Sequence, residues 1–181
     1  TSKTFAKQLL ASLPFEMTDA QKRVSNEIAK DLKQNKPMLR LVQGDVGAGK
    51  TLVAGVAACH ALEEGWQVAL MAPTEILAEQ HYLNFKKWFE PLGLTVSWLS
   101  GKQKGKARTA AEQTIQEGTA NVVVGTHALF QDNVKFAKLG LVIIDEQHRF
   151  GVDQRLALRN KGVDNTTPHQ LVMTSTFTPR T

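Results

Sequence analysis

The chain has 181 residues, of which 42% are hydrophobic and 22% are charged, so it can bury a sizeable core as one domain. Its formal net charge of +5 mildly favours polyanionic partners such as nucleic acid, although many basic domains bind none. No apolar run is long enough to span a bilayer, no tract suggests disorder, and the single cysteine, Cys59, excludes an internal disulfide.

Helical patterns recur along the chain. Thr18 can cap a helix whose apolar residues repeat on one face up to Leu32. Further helices are predicted at about 50–64, at about 74–90, and between a polar loop at 101–108 and Gly118. In the third of these four helices, His81 lies on the same face as Leu77 and Phe85. Cys59 is expected to be a small buried hydrophobe in a reduced, cytoplasmic protein.

Extended segments alternate with these helices. Six strands are predicted at 38–43, 67–72, 94–99, 121–125, 141–145 and 170–174. Most of them are continuous apolar runs without alternation, which is typical of a parallel sheet covered by helices on both faces. The sequence therefore predicts an α/β fold with a mostly parallel sheet.

A glycine-rich loop follows the first strand and matches G-x-x-x-x-G-K-[ST] at every required position. Its predicted nucleotide-binding residues are Gly44, Asp45, Val46, Gly47, Ala48, Gly49, Lys50 and Thr51. The glycines let backbone N–H groups surround a phosphate, and the next helix adds the positive end of its dipole. Lys50 is expected to reach the β- and γ-phosphates of ATP, and the Thr51 hydroxyl to bind Mg²⁺. The alternative is a glycine turn that merely joins a strand to a helix.

Two adjacent carboxylates end the strand at 141–145. Asp145 and Glu146 follow four apolar residues, so they should reach the crevice where ligands bind in open α/β sheets. Asp145 is expected to hold the hydration shell of Mg²⁺, and Glu146 to orient and polarise the attacking water. The alternative is an acidic strand-to-loop turn in solvent. Together with the phosphate loop, this pair predicts nucleotide hydrolysis.

Several segments then carry a family resemblance: 13–21, 71–75, 100–108, 125–129 and 145–155, besides the phosphate loop. With them the chain resembles the first motor lobe of superfamily 2 helicases, and more closely the RecG family of branch-migrating DNA helicases. The resemblance implies a RecA-like P-loop NTPase domain, ATP and Mg²⁺ as cofactors, and DNA as a sequence-independent partner. Gln147 separates the chain from the transcription-repair coupling translocase, which usually has Glu there and is the nearest alternative.

The resemblance also implies an adenine site. Gln21 would read the adenine, and Phe15 is a possible stacking partner. Local chemistry offers a competing interpretation, because Thr18 and Gln21 also form a capping-box pattern that needs no ligand.

DNA contacts are expected from three loops. Thr74 and Glu75 follow a strand at a helix N-terminus, where a DNA phosphate can bind, although Thr74 can also be an ordinary N-cap. The resemblance places the loop of Gly125, Thr126 and His127 along the DNA track. The basic residues of the polar loop, which suit phosphate contacts but can equally be solvated, are Lys102, Lys104, Lys106 and Arg108.

Coupling of nucleotide state to movement is assigned by the same resemblance. Gln147 and His148 would link the nucleotide state to the segment from Thr174 to Thr176. His148 is also expected to be a catalytic residue. His60 and His169 are expected to be core or surface residues, and no Cys/His spacing indicates zinc. The family pattern Thr-Ala-Thr-Pro-x-Pro-Arg-Thr is altered here, because residues 174–181 read Thr-Ser-Thr-Phe-Thr-Pro-Arg-Thr, which bears on coupling.

Residues 1–181 are expected to be one helicase ATP-binding domain from a longer protein, because the chain begins with Thr1 and not with Met. The resemblance implies that this protein is bacterial and nucleoid-associated. Its second RecA-like lobe and its junction-binding domain would lie outside, and the protein would act as a monomer without membrane contact. Such a fragment is expected to bind nucleotide weakly and to hydrolyse it slowly. Two other functions remain open: a small-molecule kinase, for which no arginine-rich lid is recognisable, and a module in which ATP merely switches DNA affinity.

Overall fold

The computed structural model describes residues 5–14, 16–34, 36–44, 48–131, 134–145 and 168–175. The helices in these ranges are α1 (Phe5–Ala11), α2 (Asp19–Leu32), α3 (Ala48–Glu63), α4 (Glu75–Phe89) and α5 (Gly105–Glu117), with short 3₁₀ helices at Glu90–Leu92 and His127–Phe130. The strands are β1 (Leu39–Gly44), β2 (Gln67–Met71), β3 (Val96–Leu99), β4 (Val122–Gly125), β5 (Leu139–Asp145) and β6 (His169–Ser175).

The six strands form one sheet in the order β1-β6-β5-β2-β4-β3, and every neighbouring pair is parallel. The carboxyl ends of the strands therefore share one edge, where Gly44 lies opposite Ser175 and Asp145 opposite Met173. The predicted parallel α/β sheet is confirmed.

Both faces of the sheet are covered at β2, because successive side chains of a strand point to opposite faces and those of residues 68–71 are apolar on both. On β2, Val68 and Leu70 pack with helices α1 to α4, whereas Ala69 and Met71 pack with α5 and the 3₁₀ helix at 127–130. All five residues of β2 are buried, which explains the unbroken apolar run from Val68 to Met71.

Local signals account for several helix ends. Thr18 caps α2, and the predicted cap at Thr74 is present, since its hydroxyl accepts from the Leu77 N–H. α3 ends before Gly65, whose φ of 86° is a left-handed conformation that suits glycine. Helix α3 has buried residues nearly all round, because it packs against the sheet on one side and against α1 and α2 on the other.

Three structural findings refine the sequence-based expectations. The predicted loop at 101–108 is only half right, because α5 begins at Gly105 and includes Lys106 and Arg108. Helix α1 was not predicted, since its seven residues are too few to show a periodic pattern. Cys59 is fully buried as expected, and burial raises the pKa of its thiol.

Within the described ranges, no helix has the length and apolarity needed to cross a membrane.

Candidate nucleotide site and DNA-facing loops

The predicted phosphate loop has the local context that such a loop requires. β1 ends at Gly44 and α3 begins at Ala48, and residues 45–47 between them, as well as the side chain of Lys50, lie outside the description. The backbone of Lys50 is nevertheless in the first turn of α3, and Thr51 follows it half-buried. A strand, a short connection and a helix N-terminus therefore follow one another, as in a phosphate-binding site.

Asp145 is the last residue of β5, and only 7% of its side chain is exposed. β6 alone separates β5 from β1, so this carboxylate lies at the same edge of the sheet as the phosphate loop. That is the crevice where ligands bind in open α/β sheets. Its predicted companion Glu146 lies outside the described residues.

A histidine that the motifs do not include contacts this carboxylate. His81 of α4 lies with Nε2 2.6 Å from Oδ2 of Asp145, and its own side chain is 13% exposed. The sequence pattern predicted only that His81 lies on one face of a helix. A weak signal was present, since the helix that follows β2 starts at the same sheet edge where β5 ends. The two partners are 64 residues apart in the sequence, so no local spacing pattern indicates their contact.

The donor set fits Mg²⁺ held together with a nucleotide. Among the described residues, no group of three or more His, Cys, Asp or Glu side chains forms a protein-only metal site. Mg²⁺ usually keeps several waters and phosphate oxygens, and takes one or two protein oxygens. The Asp145 carboxylate and the Thr51 hydroxyl offer oxygen atoms of this kind, and metal binding by them stays a prediction.

Gln21, which is predicted to read the adenine, makes two local hydrogen bonds with Thr18. Thr18 Oγ1 accepts from the Gln21 N–H at 3.1 Å, and Gln21 Oε1 accepts from the Thr18 N–H at 2.9 Å. The capping box is therefore present. Adenine contact by Gln21 stays a prediction, and Phe15 lies outside the described residues.

Glu75 joins the three loops that the sequence assigned to DNA. Its carboxylate accepts from the Ser100 hydroxyl at 3.0 Å, from the Gly101 N–H at 2.9 Å and from the Thr126 hydroxyl at 3.4 Å. These donors follow β3 and β4, whereas Glu75 follows β2, so one side chain ties three strand ends together. We call Glu75, Ser100, Gly101 and Thr126 the loop clasp. Direct DNA contact by Glu75 stays a prediction.

The basic residues near the clasp fall into two groups. Lys102, Lys104 and Lys106 are exposed around the start of α5. Arg108 is only 18% exposed and donates to Glu112 at 2.7 Å, to the Ser100 carbonyl at 3.4 Å and to the Gln131 side chain at 3.0 Å. The lysines are therefore placed to meet solvent or phosphate, and Arg108 holds the protein itself together.

Gly125 is packed within the protein, whereas His127 is exposed. A Cβ added at Gly125 would lie 2.7 Å from the carbonyl oxygen of Leu99, so glycine permits close packing of β4 beside β3. His127 is exposed at the start of its 3₁₀ helix, on the same sheet edge as Thr126. Packing thus accounts for a glycine at position 125, and DNA contacts by Gly125 and His127 stay predictions.

The residues assigned to coupling are mostly beyond the described ranges. Gln147, His148 and Thr176 lie outside them, and of Thr174 only the backbone is described, paired with Gln43 in the sheet. His169, expected to be a core or surface residue, is a core residue, and it accepts a hydrogen bond from the Met38 N–H at 2.8 Å.

With this geometry established, comparison with known proteins decides the family. The model of the DEAD/DEAH box helicase family matches residues 18–181. The chain belongs to the DEAD/DEAH box helicase family. It is 62% identical over 175 residues to the ATP-dependent DNA helicase RecG of Haemophilus influenzae, covering 96% of this chain and 25% of that protein. It is 61% identical over 179 residues to RecG of Escherichia coli, covering 98% of this chain and 26% of that protein.

Solved structures agree with this fold. A structure described as RecG bound to a three-way DNA junction aligns with a TM-score of 0.84 at 42% identity, covering 98% of this chain and 24% of that one. The Hef helicase domain of Pyrococcus furiosus, at 20% identity and a TM-score of 0.69, covers 99% of this chain and 35% of that one, and shows the shared fold. The RecA-like fold and the resemblance to RecG are confirmed. The chain spans about a quarter of the length of these RecG relatives.

Proposed function

We propose that this helicase-family chain is the ATP-hydrolysing motor lobe of a double-stranded DNA translocase that remodels branched DNA, as at stalled forks and Holliday junctions. One observation carries the proposal. The phosphate-loop strand and the Asp145 strand end on either side of β6 at one sheet edge, which the loop clasp also shares. A nucleotide and a DNA backbone bound there would lie on the same set of loops.

The proposed hydrolysis uses groups at that edge. The N-terminal turn of α3 and the Lys50 ammonium hold the phosphates, and the Thr51 hydroxyl and Asp145 hold the metal shell. Mg²⁺ would neutralise charge on the β- and γ-phosphate oxygens. Glu146 orients a water in line with the γ-phosphorus and accepts its proton as the water oxygen bonds to that phosphorus, while the bond to the β,γ-bridging oxygen breaks and ADP leaves.

The proposed DNA track runs over the three loops of the clasp. Thr74, Thr126 and His127 lie where a phosphate backbone can approach, and Lys102 and Lys104 add exposed positive charge. Such contacts fix position without reading sequence, which suits a translocase. The likeness to a RecG bound to a three-way DNA junction supports branched DNA as the substrate.

The motor is proposed to need a partner. A second RecA-like lobe of the same full-length protein would close on the nucleotide and contribute arginines to the γ-phosphate, and Gln147, His148, Thr174 and Thr176 would transmit the nucleotide state. Residues 1–181 alone are therefore expected to bind ATP weakly and to hydrolyse it slowly. Strong DNA-stimulated hydrolysis by this chain alone would contradict that expectation.

The test is Glu146→Gln in the full-length protein, with fork remodelling, ATP hydrolysis and ATP binding measured. ATP binding should persist, whereas hydrolysis and remodelling should fall by about 10²-fold or more, because the general base is removed. Glu79→Gln is the matched control, since Glu79 is exposed on α4. Remodelling that survives Glu146→Gln would favour an ATP-switched DNA-binding module, and phosphate transferred to a small acceptor would favour a kinase.

A further inference from the structure

Asp145 is a buried carboxylate whose partner among the described residues is His81. Because an ionised carboxylate only accepts hydrogen bonds, Nε2 of His81 donates to Oδ2 across the 2.6 Å contact. Taking a carboxylate out of water is costly unless a donor satisfies it. The bond therefore stabilises Asp145 in one orientation, with Oδ2 engaged and with Oδ1 bound by no hydrogen-bond donor among the described residues.

The same helix reaches the loop clasp. α4 begins at Glu75, whose carboxylate binds the two neighbouring loops, and His81 follows six residues later. At 1.5 Å per residue, the two sites are about 9 Å apart along one helix axis. A shift of the clasp along this axis would move the donor that orients Asp145, because an α-helix transmits such a displacement as a rigid element.

Resting on the function proposed above, we infer that His81 is a positioning residue: it orients the Asp145 carboxylate for Mg²⁺ and connects the DNA-facing loops to the metal site through α4. Partners in the outer shell of a metal site are typically worth about 10- to 100-fold in metal affinity.

His81→Leu removes the donor with similar bulk, and His81→Gln restores an amide donor at similar reach. The first readout is calorimetric binding of ADP with and without Mg²⁺, and of Mn²⁺ by electron paramagnetic resonance. His81→Leu should weaken Mg²⁺-dependent binding by about 10- to 100-fold while metal-free ADP binds as before, and His81→Gln should recover most of the loss.

His60→Leu is the matched control. His60 also faces a carboxylate, with Nδ1 3.8 Å from Glu63 Oε1, but it lies at the far end of α3. Metal-dependent binding should be unchanged in this variant. Equal losses in His81→Leu, His81→Gln and His60→Leu, or no loss in His81→Leu, would overturn the inference.

A double-mutant cycle separates positioning from general damage to the fold. Asp145→Asn removes the metal ligand, so His81→Leu added to it should cost no further metal affinity. A further loss of similar size in the double variant would show that His81 acts elsewhere. The urea midpoint of each variant shows whether it folds. If the Leu variant does not fold, a folded His81→Gln variant that lost Mg²⁺-dependent binding would still overturn the inference.

The connection through α4 has its own readout. In the full-length protein, His81→Leu at saturating Mg²⁺ should lower the stimulation of hydrolysis by DNA while basal hydrolysis changes less. Equal loss of basal and stimulated rates would overturn the connection. If the wild-type protein showed no DNA-stimulated hydrolysis, the proposed function would fail, whereas the dependence of Mg²⁺ binding on His81 would still be measured independently.

Discussion

The hydroxyl of Thr126 donates to the carboxylate of Glu75 across 3.4 Å and 51 residues of sequence. The same carboxylate accepts from Ser100 and Gly101, so a negatively charged side chain stands where the family resemblance expects DNA. A carboxylate would repel a phosphate. The described contacts indicate that Glu75 shapes the surface on which DNA is proposed to lie.

Glu75→Gln should therefore destabilise the loops. The amide replaces one oxygen by a donor that faces other donors, and a half-buried unsatisfied group costs about 1 kcal/mol. We expect a lower urea midpoint and weaker DNA binding, although the substitution removes a negative charge. Glu79→Gln, on the exposed part of α4, is the control for lost charge. Unchanged stability together with tighter DNA binding would contradict this role.

The exposed lysines should contribute to DNA affinity without reading sequence. Lys102→Ala and Lys104→Ala should each weaken binding about equally for unrelated sequences and lower the salt slope by about 1. Fluorescence anisotropy at several salt concentrations measures both effects. Lys138→Ala is the control, since Lys138 is exposed at the opposite sheet edge beside the start of β5. If Lys102→Ala changed DNA affinity and salt slope no more than Lys138→Ala does, Lys102 would be a solvated side chain that makes no DNA contact.

Gln21→Glu separates helix capping from adenine recognition. Glutamate can accept from the Thr18 N–H as glutamine does, so the capping box and the urea midpoint should be kept within about 0.5 kcal/mol. The variant lacks the amide donor that adenine recognition requires, so the preference for ATP over GTP should fall. Gln21→Ala should lose both properties. An unchanged nucleotide preference in Gln21→Glu would leave capping as the function of this side chain.

His169 should make stability depend on pH. Burial lowers its pKa below the usual value, with Asp31 opposing this effect, and its Nδ1 accepts from the Met38 N–H in the neutral form. Because the unfolded chain binds this proton more readily, the contribution is present above the unfolded pKa and is lost as pH falls below about 6.5. The urea midpoint of the wild-type protein should be lower at about pH 5.5 than at about pH 7.5.

His169→Asn keeps an acceptor near Met38 and removes the titration, so its midpoint should depend less on pH over that range. His60, whose pKa is also lowered by burial, titrates in the same direction and remains in both proteins. The comparison between the wild-type protein and His169→Asn therefore isolates His169. Parallel pH profiles would contradict the assignment.

The sequence by itself determined the α/β class, the parallel sheet and the strand ends that carry Gly44 and Asp145. These follow from local causes: unbroken apolar strands require cover on both faces, and a glycine-rich loop before a helix creates a phosphate site. Thr18 and Thr74 likewise cap their helices through neighbours three residues away. Local spacing was sufficient for these features.

Only the tertiary structure decided which side chains meet at the sheet edge. His81 forms a hydrogen bond with Asp145, and Thr126 donates one to Glu75. Arg108, which was predicted in a loop, lies in α5 and donates to Gln131. The partners come from different elements, and their meeting depends on how helices pack on a sheet whose strand order differs from chain order. No periodic pattern records that order, because it arises from packing of the whole core.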